Sequence, residues 1–289
     1  MLPARFDYHR PQTIDEALAL LDEYGESAKV LAGGQSLIPL MKLRFASPGH
    51  IIDINRIAGL AGIEESGDWL RLGALTRHNQ VAESDMVRAR YPVLATAAPL
   101  ISDPIVRNLG TVGGSLAHAD PAGDWGSVML AMGAGVVVRS SSGTRTEEIG
   151  DFLQDTFTTS LEPNELLTEV RVPAPAARSG GTYLKLERKV GDFATVGAAV
   201  HLSVDDGHIR SAGIALTAVG PMNLRAREAE ASLAGAEPTE EAFAQAGRLA
   251  AATAQPASDL RGSADYKRHI VEVFVRRGLS RALELTRSS

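Results

Sequence analysis

Two short loops of one kind constrain this chain more than any other feature. One is Gly33-Gly34-Gln35-Ser36-Leu37; the other is Gly113-Gly114-Ser115-Leu116, preceded by Gly110-Thr111-Val112. In each, a glycine pair is closely followed by a small hydroxyl residue. Glycine lets the backbone turn tightly and lets another group approach its amides. Consecutive amides form an anion nest, helped by a following helix N-terminus. Two such loops facing each other suit a pyrophosphate, and the Ser36, Thr111 and Ser115 hydroxyls add hydrogen bonds without adding charge. Neither loop has the G-x-G-x-x-G spacing of a Rossmann fold or the G-x-x-x-x-G-K-[ST] of a P-loop. Spacing alone therefore leaves a dinucleotide site and a pair of plain strand-to-helix turns both open.

The surrounding pattern is mixed. A strand is predicted over 6–9. Thr13 and Glu16 make a capping-box pattern, and Ile14, Ala17, Leu18 and Leu21 recur at helical spacing. Strands over 29–31 and 50–54 and a helix over 37–44 complete a first α/β unit. A second begins near Ile57, with strands over 60–64 and 69–72 and a helix capped by Thr76 that runs to Ser84. A helix over 92–98 follows, then an extended loop over 107–121. Asp124 precedes a helix over 125–132, a hairpin joins 135–139 to 145–149, and a strand covers 166–172. Residues 173–181 are rich in Pro, Ala and Gly and read as a linker. Beyond it lie strands over 183–187, 194–204 and 209–219, then helices over 224–234, 239–254 and 265–285. The expected fold class is α+β. Two α/β subdomains (about 1–56 and 57–177) precede a C-terminal domain (178–289) in which helices cover a three-stranded antiparallel sheet.

Composition removes several chemistries. The 289 residues include no cysteine, which excludes disulfides, thiolate nucleophiles, cysteine-held iron–sulfur clusters and cysteine zinc sites within this chain. The formal net charge of −6 argues against general nucleic-acid binding. The N-terminal residues lack the apolar core of a signal peptide, and the longest apolar run, from Val128, is broken by glycines and too short to span a bilayer; a cytoplasmic protein is expected. His78 and His118 have no second ligand at metal spacing, so no metal site is expected. The Ser, His and Asp residues show no nucleophile elbow, so hydrolase chemistry is rejected.

A longer set of motifs lifts the dinucleotide reading. Leu31-Ala32-Gly33-Gly34-Gln35-Ser36-Leu37, with Pro39 and Met41-Lys42-Leu43-Arg44, resembles the first flavin loop of the medium subunits of carbon monoxide dehydrogenase and related molybdenum hydroxylases, the xanthine dehydrogenase family. Arg107 to Ser115 resembles their second loop, and His118-Ala119-Asp120-Pro121-Ala122-Gly123-Asp124 continues the match. Leu166 to Pro173 resembles a later strand. Tyr183-Leu184-Lys185-Leu186, Arg188 and Gly191-Asp192-Phe193-Ala194 resemble the start of the C-terminal domain. The resemblance runs in order through essentially the whole chain.

It implies a PCMH-type FAD-binding region followed by the C-terminal domain, with FAD between the two N-terminal subdomains. Val30, Leu31, Ala32, Gly33, Gly34, Gln35, Ser36 and Leu37 match the first FAD-binding stretch. Thr111, Val112, Gly113, Gly114 and Ser115 match the second. Ile101, Asp124, Leu167 and Lys185 fall on further FAD-contacting positions. In this reading Asp124 accepts hydrogen bonds from sugar or ribityl hydroxyls, with a helix N-cap as its other role. Ile101 and Leu167 pack on the flavin ring, where composition alone makes them core. Lys185 places positive charge near the ring, where the residue alone reads as a solvated strand lysine. Asp192 and Phe193 lie in a loop that approaches the flavin in relatives. The carbon monoxide enzymes carry histidine at the position of Gln35, which puts a carbon monoxide substrate in doubt. The branch with an extra cysteine-bound cluster in this subunit is excluded.

The resemblance further implies a large partner subunit with a molybdenum cofactor and a small one with two [2Fe–2S] clusters, in a dimer of heterotrimers. The chain would receive electrons on FAD and pass them to an external acceptor; no residue need act as a catalytic nucleophile. A stand-alone FAD-dependent oxidoreductase and a non-enzymatic nucleotide-binding module are the alternatives.

Overall fold

A computed structural model describes residues 2–287. In the first unit, strands Asp7–His9, His50–Asp53 and Ala28–Leu31 lie side by side in that order, all parallel. The Thr13 hydroxyl accepts the Glu16 amide at 3.1 Å, while the Glu16 carboxylate accepts the Gln12 amide at 2.7 Å. These caps start helix Ile14–Tyr24, whose Ala17, Leu18 and Leu21 pack on Ile52 and Ile54. Because the strands are parallel, their carboxyl ends and following turns gather along one edge, the usual ligand edge of such a sheet. Leu31 and Asp53 end there.

The second unit is a five-stranded antiparallel sheet in the order Ile63–Ser66, Trp69–Gly73, Leu166–Pro173, Gly135–Ser140 and Gly143–Glu148. Its core joins Leu70, Leu72, Val136, Val138, Val170 and Val172 to Trp125, Val128 and Met129 of helix Asp124–Met132. Each such fully buried side chain contributes ~1.5–3 kcal/mol by leaving water. One step past the paired residues Glu169 and Gly73, the Thr168 carbonyl accepts the Ala74 amide at 3.0 Å. This ties the sheet to the segment beneath the second glycine loop.

In the third unit, strands Ser179–Leu186, Val196–Asp205 and His208–Thr217 form an antiparallel sheet with a two-residue fourth strand, Leu224–Arg225. The alternation in Val196–Asp205 sorts the two faces. Val196, Ala198, Val200 and Leu202 pack with Phe243, Val271, Val275 and Leu279 of helices Glu240–Thr253 and Ala264–Thr286. Tyr183, Ala199 and Ala215, on the opposite face, join the core around Trp125. Gly213 makes that close docking possible: a Cβ there would lie 1.9 Å from the Ala131 carbonyl oxygen.

Three local expectations need correction. Residues 107–121 hold two short helices rather than an extended loop: Pro104–Leu109 and Val112–His118. Asp103 accepts the Val106 amide at 2.9 Å and Thr111 accepts the Gly114 amide at 3.1 Å; these caps outweigh the low helix propensity of the glycines. Thr76 does not cap the next helix. Its hydroxyl donates to the Gly62 carbonyl, and helix His78–Glu83 starts after Arg77, whose amide donates to Gln80. Asp124 is the first residue of its helix rather than the cap; Gly123 takes that place. Among the described residues no helix is long and apolar enough to cross a membrane, and no group of side chains has metal-site geometry.

Candidate functional site

Strand Ala28–Leu31 places Val30 and Leu31 beside Ile52 and Asp53; the chain then turns through Ala32–Ser36 into helix Leu37–Leu43. All eight residues from Val30 to Leu37 are half-buried. Gly34 has φ +71°, a conformation open to glycine at no steric cost. Among the described residues, the amides of Gly33, Gly34, Gln35, Ser36 and Leu37 donate to no protein acceptor. Five successive free N–H groups on a half-buried turn are an anion nest awaiting acceptors. The Gln35 side-chain amide is spent locally, donating to the Gly33 carbonyl at 3.2 Å.

The second loop meets the first directly. A Cβ on Gly33 would lie 2.3 Å from the Leu109 carbonyl oxygen, and one on Gly114 would lie 3.6 Å from the Ala32 Cβ. The loops face each other as the sequence implied, but they are not equivalent. The Val112, Gly113, Gly114 and Ser115 amides donate to the Thr76 carbonyl, the Ala74 carbonyl, the Thr111 hydroxyl and the Thr111 carbonyl. Thr111 is buried and acts as the cap. Gly113 is packed against Ala74 and Leu167, so Leu167 supports the loop from behind. The second loop is thus a rigid wall whose half-buried hydroxyl is Ser115, and the first supplies the amides.

Beyond the loops, the C-terminal sheet reaches back into the second subdomain. Lys185 Nζ donates to the Leu100 carbonyl at 2.9 Å and to Asp124 Oδ2 at 3.0 Å, and lies 3.6 Å from Glu187 Oε2. The Tyr183 hydroxyl donates to Asp124 Oδ1 at 2.6 Å. The Lys185 and Asp124 side chains are 2% and 6% exposed. Lys185 is therefore no solvated lysine but half of a buried ion pair. Burial pushes the Asp124 carboxyl up, opposed by the Lys185 ammonium and the Tyr183 hydrogen bond; burial and the facing Asp124 push the Tyr183 phenol well up.

Ile101 is half-buried in the turn after Leu100, with Ser102 at φ +48°. Arg107 fixes that turn by donating to the Ile101 and Ser102 carbonyls at 3.1 and 2.7 Å, while its Nε is buried with no partner. Asp192 is held by Arg188 and Arg261, and Phe193 stands exposed beside it. His118 ends the helix that carries the second loop, its ring 5.0 Å from that of Phe157. His78 lies under the second loop. Its Nδ1 accepts the Trp125 indole N–H at 2.9 Å, and burial, with Arg77 and Arg107 nearby, lowers its pKa to about 4. The ring is thus neutral and structural. Two residues that sequence reasoning missed, Asn55 and Arg77, bridge the two loops. No motif marks them, because each binds a backbone carbonyl of its own unit and only the bond between their two side chains crosses from one unit to the other.

A run of free amides, a facing wall of small residues, a buried orphan donor beside a half-buried apolar turn and a lysine carried in from a third unit together fit a long ligand.

Known proteins resemble this chain along essentially its whole length. The FAD-binding domain of molybdopterin dehydrogenases matches residues 4–175, and the C-terminal domain of CO dehydrogenase flavoproteins matches residues 181–282. The carbon monoxide dehydrogenase medium chain of Hydrogenophaga pseudoflava is 46% identical over 282 residues, 98% of either chain. A solved carbon monoxide dehydrogenase structure from that organism superposes with a TM-score of 0.96, at 48% identity, covering 98% of this chain and 99% of that one. Quinoline 2-oxidoreductase from Pseudomonas putida 86 superposes with a TM-score of 0.92 at 32% identity, covering 99% of both chains. The chain belongs to the family of FAD-binding medium subunits of the molybdenum hydroxylases.

Proposed function

We propose that this chain holds FAD across its two glycine loops. It takes electrons from a small partner subunit with [2Fe–2S] clusters and delivers them to an external acceptor. A large partner with the molybdenum cofactor oxidises the substrate, and the complex is a cytoplasmic dimer of heterotrimers. FAD, when bound, supplies a centre that exchanges one or two electrons. The chain's residues supply binding and placement. The Gly33–Leu37 amides receive the pyrophosphate, with Ser36 and Ser115 adding hydroxyls. Thr111, Val112, Gly113 and Gly114 form the wall opposite, and Val30, Leu31 and Ala32 aim the first loop. Ile101 lines the ring end, Leu167 backs the second loop at Gly113, and the ammonium of Lys185 is held at that end by Asp124 and Glu187. Residues 1–177 form the FAD-binding region and 178–289 the C-terminal domain.

Relatives belong to enzymes named for carbon monoxide, glyceraldehyde, nicotine and caffeine. One medium-chain design accompanies unlike substrates, which supports a substrate site on another chain. The observation that carries the reading is the set of five free amides facing the second loop. The test is an absorption spectrum of the purified chain, with the chromophore released by mild denaturation and identified. Stoichiometric FAD, and co-purification with molybdenum and [2Fe–2S] subunits, is the expected result. A colourless protein that also takes up no added FAD, alone or with its partners, refutes the reading.

A further inference from the structure

The two loops come from different subdomains, so their spacing must be enforced by contacts between those units. One ring of hydrogen bonds does this. Asn55, just past strand His50–Asp53, donates from Nδ2 to the Ala32 carbonyl at 2.7 Å, on the first loop. Its Oδ1 accepts Arg77 Nη2 at 2.6 Å. The other arm of Arg77, Nη1, donates to the Leu109 carbonyl, at the entry to the second loop. That oxygen is the atom a Cβ on Gly33 would strike. Thus Ala32, Asn55, Arg77, Leu109 and Gly33 close a circuit at the point where the loops touch. We infer that Asn55 and Arg77 are positioning residues that set the gap between the two loops and hence the affinity for the pyrophosphate of the cofactor.

The circuit is braced from both sides. The Asp53 carboxylate accepts the Asn55 amide at 2.9 Å and its Nδ2 at 2.7 Å, and the Tyr8 hydroxyl donates to the other Asp53 oxygen. These contacts fix which end of the Asn55 side chain faces Arg77. On the second subdomain, Arg77 is paired in register with Thr111 and its amide is capped by Gln80. Both residues of the clamp are therefore braced by further hydrogen bonds within their own unit. The chemistry also explains the residue types. Asn55 must donate to one carbonyl and accept from a guanidinium, which only an amide side chain does at this length. Arg77 must reach two acceptors in one plane, which a planar fork does and a lysine ammonium does not. Burial lowers the Arg77 pKa against the pull of Asp53, but the group stays a cation at any ordinary pH. It adds a positive charge beside the loop junction, the favourable sign for phosphate.

This inference rests on the FAD reading and deepens it. The test titrates the full-length chain, stripped of flavin, with FAD and separately with ADP, following flavin fluorescence and heat. The variants are Asn55→Ala, Arg77→Lys, Arg77→Gln and the pair Asn55→Ala/Arg77→Gln, each checked by circular dichroism and melting temperature. Each single variant should weaken FAD and ADP in parallel by about 10- to 100-fold, as for loss of a hydrogen bond to a charged group. The double variant should be no weaker than the worse single one, because either change opens the same ring. Arg77→Lys should not rescue, although it keeps the charge. Wild-type protein that binds neither ligand sinks the FAD reading itself. If wild type binds FAD but the folded variants bind it equally well, the clamp is wrong. A melting temperature that falls while the dissociation constants hold overturns it too, since that pattern marks a purely structural pair. Full rescue by lysine shows that charge alone matters and likewise overturns the positioning role.

Discussion

Replacing Lys185 with methionine tests how the third unit is joined to the site. Met keeps the length of the stem and removes the ammonium. In the native protein that ammonium lies between Asp124 and Glu187 and also satisfies the Leu100 carbonyl. With side chains 2% and 6% exposed, neither Lys185 nor Asp124 can turn to water. The variant leaves two carboxylates close together without a counter-charge, and breaking a buried pair in this way costs about 3–5 kcal/mol. For a chain of this size that is on the order of 10 °C in melting temperature. The cost should depend on pH, with a sign that follows from Asp124. Burial already raises its pKa, and only Lys185 and Tyr183 oppose this. Without Lys185 the folded-state pKa rises further above the unfolded value. The folded variant then binds more protons than the unfolded chain, and its stability falls as pH rises through that window. Lys185→Met should therefore be closer to wild type at pH 5 than at pH 8. Lys185→Met/Asp124→Asn should recover part of the loss at pH 8. The assay is urea unfolding at both pH values, with flavin content measured in parallel. A loss under about 1 kcal/mol at pH 8, or strict additivity of the two substitutions, would refute the buried-pair reasoning.

The remaining predictions are simpler. His78 is buried, as is the Nε2 atom of the partly buried His201, and burial lowers the pKa of each to about 4, so both rings are neutral. The unfolded chain takes up their protons first, so stability should fall as pH drops from about 6.5 to 4, by ~3 kcal/mol per histidine. His201→Gln should flatten that slope in urea unfolding measured at pH 7, 6 and 5. Gly33→Val would force a side chain to within 2.3 Å of the Leu109 carbonyl; the flavin-to-protein absorbance ratio of the purified variant should collapse. Gly213→Ala, with its Cβ 1.9 Å from the Ala131 carbonyl, should cost about 1–3 kcal/mol or more by overpacking the domain junction, read as a lower melting temperature with little change in FAD affinity. Arg261→Gln should free the loop that Asp192 anchors, seen as faster tryptic cleavage at Arg188 and Lys189.

What was legible in the sequence was what local rules encode. The glycine pairs, the Thr13 cap, the hairpin joining 135–139 to 145–149 and the three C-terminal strands need only neighbours in the chain, and their elements lie within a few residues of expectation. The same rules misread 107–121, because glycine and hydroxyl content reads as loop whereas caps at Asp103 and Thr111 decide the matter. Site residues whose partners are far away gave no usable pattern. Lys185 reads as an ordinary strand lysine until Asp124, 61 residues earlier, is found 3.0 Å from it. Asn55 and Arg77 show even less, since most of what they bind is backbone. The resemblance to a family placed Lys185 and Asp124 near the cofactor but did not say that they bind each other.

That mutual binding changes how the site should be understood. Its parts come from three units: amides from the first, a supporting wall from the second, and a buried cation from the third. Each junction is held by polar contacts at its edge rather than by apolar packing alone, through Asn55 and Arg77 at one and Lys185 and Asp124 at the other. Polar contacts are directional, so they fix distance and orientation where apolar packing tolerates sliding. Hydrogen bonds also weaken steeply when misaligned. A displacement between units would therefore break the clamp and open the cradle at once. A ligand spanning the units favours only the closed arrangement, and so stabilises the docking of the domains in proportion to its own binding. With the proposed clamp, cofactor affinity and domain assembly form one linked equilibrium, governed by residues beside the glycine loops as well as by the loops themselves.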